Sequence, residues 1–188
     1  MKSFKSFVDC IEVESGARGK SDAAFVCFYC DKVQPYINTT DPTFPEDKKH
    51  VWAHKILLNV RWDSRFGFPG GMVDEGESLI EAAVRECKEE IGYTPNPDHL
   101  LHLCTHKIPE SGMHCHLYMC RVSEEALYDM QRSAMDATHS RIEAFGNAVA
   151  HLTPPTIKQM KHANCARTVK AELVEVFDFL GVDYDWSN

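Results

Sequence analysis

No apolar run in this 188-residue chain approaches the roughly 18 to 20 residues that a membrane-spanning helix requires. The opening MKSFKSFVDC carries lysines but no apolar stretch long enough for a secretory signal. Internal repeats and low-complexity tracts are absent as well. Nor is there an excess of positive charge. Against 28 Asp and Glu stand 20 Lys and Arg, and the net charge of −8 argues against broad, sequence-independent nucleic-acid binding. A local basic patch stays open, and Lys158, Lys161, His162, Arg167 and Lys170 are its candidates. On these grounds the protein is expected inside the cell, without a membrane partner.

The remaining composition is that of an ordinary folded protein, 44% hydrophobic and 26% charged. The length suits one domain, residues 1–188, with a full core. Eight cysteines in an intracellular chain are expected to stay reduced. Cys27 and Cys30 have the spacing of a zinc half-site but sit in AAFVCFYC, which reads as a buried strand. Cys104, His106, His114, Cys115, His116 and Cys120 are also dense enough to suggest zinc. Strand alternation sends His114 and His116 to one face and Cys115 to the other, which breaks a tetrahedral set.

The chemistry is concentrated in GGMVDEGESLIEAAVRECKEEIGY. Gly71 is followed after five residues by Glu77, after seven more by Arg85-Glu86, and then by Glu89-Glu90 and Gly92. Seven identities at fixed spacing, each with roughly 6% background usage, arise by chance in about one such chain per million. The stretch has strong helix formers up to Gly92, which is placed to stop a helix, with Pro95 just beyond. Ile80, Val84, Cys87 and Ile91 form one apolar stripe, and Glu86, Glu89 and Glu90 fall together on a different face. Three carboxylates so close repel one another. A hard divalent cation such as Mg2+ or Mn2+ relieves the conflict, because it takes several oxygen ligands.

This pattern resembles the Nudix box, the signature of metal-dependent hydrolases that cut nucleoside diphosphates linked to another group. The resemblance implies an α/β fold, a Nudix-type α/β/α sandwich with a mixed sheet. It implies metal ligation by Glu86, Glu89 and Glu90, with Arg85 pairing to Glu77 and the other acids to hold the ligands in place. Strands are expected at Ala23–Cys30, Val51–Trp62, His99–Lys107, His114–Val122 and Ile142–Leu152. A turn-rich loop is expected between the first two, and Arg65–Gly71 leads into the catalytic loop. Helices are expected at Ser123–Ala137 and Arg167–Leu180, with a helix or loose arm over residues 1–20.

The run FGFPGG before the box and the Glu143-Ala-Phe-Gly segment resemble one Nudix subgroup, that of the nucleolar-RNA decapping enzymes, which also hydrolyse inosine diphosphates. That likeness implies a metal-ligating carbonyl on Gly70, and a metal or general-base role for Glu143. It also implies a phosphate contact from Arg61 and base stacking by Phe68. Phe25 stands where the subgroup has a base-reading His, and Glu172 or a neighbour where it has a Gln, so hydrogen-bonded purine readout departs from the subgroup pattern. Glu89 and Glu143 are both candidates for the general base. Capped RNA or an inosine diphosphate is the implied substrate, and the nucleus or cytoplasm the implied location. ADP-ribose hydrolysis, suggested by Pro109 sixteen residues after Tyr93, and a non-catalytic RNA-binding module are the alternatives. The likeness leaves open a homodimer, for which Trp52, Trp62 or Trp186 would supply apolar contact area.

Overall fold

The computed structural model describes residues 10–33, 52–133, 137 and 144–186. The turn-rich segment expected between the first two strands lies outside this range. So do Glu143 and the start of the strand expected from Ile142.

Thirteen elements follow one another along the described chain: β1 (Ile11–Glu12), β2 (Ser21–Val33), β3 (Ala53–Arg61), β4 (Phe66–Gly67), β5 (Gly70–Met72), α1 (Leu79–Ile91), a 3-10 turn (Pro97–His99), β6 (Leu101–Ile108), β7 (Met113–Arg121), α2 (Glu124–Ser133), β8 (Ala144–His151), α3 (Pro154–Met160) and α4 (Val169–Leu180). The strands form one sheet in the order β1-β6-β7-β2-β3-β4, with β5 also pairing to β2 and β8 to β3. β2 and β7 run parallel through nine paired positions, from Ser21–Met113 to Tyr29–Arg121, while the other strand pairs are antiparallel. The sheet is therefore mixed.

Alternation along the central strands builds two cores. Ala24, Val26, Phe28 and Cys30 of β2 pack with Leu57 against Ala83, Cys87 and Ile91 of α1 and Leu127 and Met130 of α2. Cys27, Ile56, Leu58 and Leu117 point the other way, against Ile157 of α3 and Leu173 and Phe177 of α4. Both faces of β2 are thus covered, which explains why its sequence reads as a nearly continuous apolar run rather than an alternating one. The α/β/α sandwich is the arrangement observed.

Several expectations need correction. Residues 10–20 hold no helix. Ile11–Glu12 pairs with β6, and the segment after it is pinned to the sheet by Gly16 N–H on Thr105 Oγ1 (3.1 Å) and by His114 Nδ1 against Ala17 O (2.6 Å). The segment leading into the box holds two short strands, β4 pairing with β3 and β5 with β2 through Phe25–Gly70 and Ala24–Gly71. Trp186 is buried, donating to Ile157 O at 3.1 Å, so it cannot serve an outer contact, whereas Trp52 and Trp62 are exposed.

Candidate active site

Helix α1 starts at Leu79 because Ser78 caps it. The Ser78 side chain accepts from Glu81 N–H at 3.2 Å, and the Glu81 carboxylate accepts from Ser78 N–H at 2.8 Å. Glu77 therefore stays outside the helix, where its carboxylate turns toward Arg85 eight residues on. At the other end Gly92 takes a left-handed φ of 67° and returns its N–H to Lys88 O.

Burial on α1 differs from the simple stripe. Ala82, Ala83, Glu86, Cys87, Glu90 and Ile91 are buried, while Ile80 and Val84 are only partly covered. Glu86 and Glu90 thus lie on the flank pressed toward β5, and Glu89 stays on the rim. Two glycines make that closeness workable. A Cβ on Gly71 would stand 2.6 Å from the Glu86 carboxylate. One on Gly70, whose φ is +142°, would meet Ala24 O at 2.2 Å. Gly70 N–H donates to Glu90 Oε2 at 2.9 Å, and Asn59 Nδ2 reaches the same oxygen at 3.5 Å.

Arg85 organises the group. Its Nε and Nη2 donate to the two oxygens of Glu77 at 2.9 and 3.0 Å. Nη1 donates to Glu86 at 2.8 Å and to Glu89 at 3.1 Å, and Nη2 also reaches Met72 O at 2.9 Å. Five contacts match the five N–H donors of a guanidinium. The guanidinium holds the Glu77 carboxyl below the usual carboxylate range. Glu77 also accepts from Asp74 N–H at 3.1 Å, which fixes the loop before the helix.

Among the described residues, no three His, Cys, Asp or Glu side chains are gathered tightly enough to count as a ready metal cluster. This holds for the Cys and His run of β6 and β7, where His116 instead bonds Asp22 and Thr105 at 3.0 Å each. It holds also for the box acids, which are spread around Arg85. Their donor chemistry nonetheless suits a hard divalent cation: ionisable oxygens on one guanidinium hinge, beside a glycine that leaves room for the Glu86 carboxylate.

The other expected site residues separate into two places. Arg61, at the end of β3, is half-buried, with Nε 3.7 Å from Asp63 Oδ1. Phe25 faces the α3/α4 core but its backbone pairs with Gly70. Phe68 is buried in that same core, only 4% exposed. Glu172 is buried on α4, and its charge bears on Cys27 and Cys104 of that core. Burial pushes its carboxyl up to about 7, and its Oε1 has no hydrogen-bond partner. Phe25, Phe68 and Glu172 thus share the side of the sheet opposite α1, and the two sides meet at the β2–β5 ladder. Of the basic candidates, Lys170 donates to Lys161 O at 2.9 Å and Arg167 pairs with Glu110 at 2.6 Å.

A family described as "Nudt16-like: U8 snoRNA-decapping enzyme-like" matches residues 26–158, well over half the chain. The chain belongs to this family of Nudix hydrolases. A U8 snoRNA-decapping enzyme of Homalodisca vitripennis is 33% identical to this Nudix hydrolase over 127 residues, spanning 61% of this chain and 68% of that protein. The mouse U8 snoRNA-decapping enzyme is 30% identical over 95 residues, 48% of this chain and 49% of that one. A mutT/nudix family protein from Listeria innocua shares the fold, with a TM-score of 0.58 at 16% identity, covering 88% of this chain and 96% of that one.

Asn59 escaped the sequence reading, although a polar residue inside ILLNV was the available signal. Among the described residues no helix is long and apolar enough to cross a membrane.

Proposed function

We propose that this Nudix hydrolase cleaves a diphosphate bond in capped RNA or in an inosine diphosphate, with Mg2+ or Mn2+ as cofactor. The observation that carries this reading is the five-contact Arg85 hinge, which holds Glu77, Glu86 and Glu89 around one point beside Gly70 and Gly71. A bound divalent cation would neutralise diphosphate charge and lower the pKa of the attacking water. Glu86, Glu89, Glu90 and the Gly70 carbonyl are the donors for it. Arg85 and the Gly70 N–H keep the carboxylates aimed, so little reorganisation is needed when a substrate arrives. Glu89, only partly buried, is the candidate to take a proton from water, with Glu143 the second candidate for base or ligand.

On the substrate side, Arg61 supplies a cation for phosphate. Phe25 and Phe68 are the aromatic candidates for the base, Phe68 needing a shift in packing to present its ring. Glu172 stands where a base-reading amide is expected. The similarity to decapping enzymes supports capped RNA ahead of ADP-ribose, and an intact box supports catalysis ahead of RNA binding alone. Location in the nucleus or cytoplasm follows from the same similarity, and a homodimer remains one assembly consistent with exposed Trp52 and Trp62.

The test is phosphate or nucleotide release from capped RNA, inosine diphosphate and ADP-ribose, with Mn2+ present and after chelation. Turnover of one of the first two, abolished by chelator and restored by metal, is expected. No turnover on any of the three, together with tight RNA binding, would replace this reading with a binding module.

A further inference from the structure

β3 and β8 pair antiparallel with Asn59 directly opposite Asn147. Alternation along β3 sends Ile56 and Leu58 to the α3/α4 core and Leu57 to the α1/α2 core, so Asn59 points toward α1 and α2. It is 2% exposed. Asn147 faces the same way, since its Nδ2 donates to Met130 O of α2 at 3.4 Å.

The orientation of both amides is set by chemistry. Asn59 Nδ2 faces a carboxylate oxygen of Glu90 and Asn147 Nδ2 faces a carbonyl. Flipping either amide would set oxygen against oxygen. The two Oδ1 atoms must therefore point elsewhere, and both are shut from solvent without a hydrogen-bond partner. Buried acceptors without a donor are rare. Here there are two, on residues whose Cβ atoms a cross-strand pair places about 5 Å apart, next to a carboxylate of the acidic helix. A pair of neutral oxygens calls for a hydrogen-bond donor, and magnesium-type cations keep several waters when bound by protein.

We propose that Asn59 and Asn147 form an amide wall beneath the acidic helix, orienting Glu90 through Asn59 Nδ2 and accepting hydrogen bonds through both Oδ1 atoms from water carried by the divalent cation. They are positioning residues. This assignment rests on the metal-dependent reading above and extends it to two residues outside the box. Asn59, buried, and Asn147, partly buried, would otherwise each leave an acceptor oxygen idle out of reach of solvent.

The test uses the full chain and Mn2+ alone, without substrate. Binding is followed by loss of the free Mn2+ paramagnetic resonance signal, and bound water by proton relaxation enhancement. Asn147→Leu removes an acceptor without touching Glu90. With circular dichroism and melting temperature showing a folded protein, Mn2+ affinity should fall at least fivefold and the relaxation enhancement should change. Asn59→Leu, which also removes a contact to Glu90, should lose more than Asn147→Leu. Affinity within twofold of the parent for a folded N147L protein overturns the amide wall while leaving the hydrolase reading intact. Should N147L fail to fold, Asn147→Ala, which removes the same acceptor without added bulk, decides the matter, and affinity within twofold of the parent there overturns the assignment. A parent that binds no Mn2+ overturns the metal-dependent reading itself, and the wall with it.

Discussion

Replacing Glu172 by Gln tests how far the interior of α4 controls stability. The carboxyl is 1% exposed, and burial raises it from an ordinary value of 4.5 to about 7, with a hydrogen bond from Thr168 opposing only part of the rise. A raised folded-state value in an acid means that the native chain holds its proton after the unfolded chain has released it. Stability contributed by the protonated form is therefore intact below about pH 4.5 and declines as pH climbs to about 7, levelling off above. The gap corresponds to about 3 kcal/mol at 1.36 kcal/mol per pH unit. Gln cannot ionise. Urea unfolding of the parent and Glu172→Gln at several pH values from 4.5 to 8.5 would measure the difference, and other titrating groups cancel between the two. The variant should gain about 2 to 3 kcal/mol on the parent between pH 4.5 and 8. A difference flat to within about 0.5 kcal/mol across that range would show that Glu172 is not held protonated by its surroundings, and would refute the argument.

Glu89→Gln and Glu90→Gln should each lower turnover by 100-fold or more, on the order of 3 kcal/mol in the barrier. Turnover within twofold of the parent, on a capped-RNA or inosine diphosphate assay, would refute their assignment. Arg85→Lys keeps the charge but loses the fork that spans Glu77, Glu86 and Glu89. Metal titration should show weaker binding and assays at least a tenfold drop in kcat, with the melting temperature nearly unchanged. Gly70→Ala, with its new Cβ 2.2 Å from Ala24 O, should lower the melting temperature measurably and uncouple β5 from β2. Ser78→Ala removes the hydroxyl half of the cap on α1, leaving the backbone N–H of position 78 on the Glu81 carboxylate, and should cost about 1 kcal/mol in denaturant unfolding.

Much of the site was legible because the box is local. Gly71, Glu77, Arg85, Glu86, Glu89 and Glu90 lie within twenty residues, and helical geometry alone brings most of them together. The helix end at Gly92 was readable for the same reason. Its start is set at Leu79 by the mutual bonds of Ser78 and Glu81, which decide where the first turn begins. Residues 11–12 were invisible as a strand: two residues carry no period, and only β6 makes them one. Trp186 looked like surface material near the chain end, yet it fills the space between α3 and α4.

Local spacing dictated the acidic helix, its arginine hinge and the family, because those depend on separations of three to eight residues. Tertiary packing alone decided which carboxylates are buried, that Asn59 faces Asn147 across two strands nearly ninety residues apart, and that Glu172 is sealed from water. The physical reason is that burial and cross-strand neighbourhood depend on which distant segments come to lie on each face of the sheet, and no short stretch of sequence carries that information.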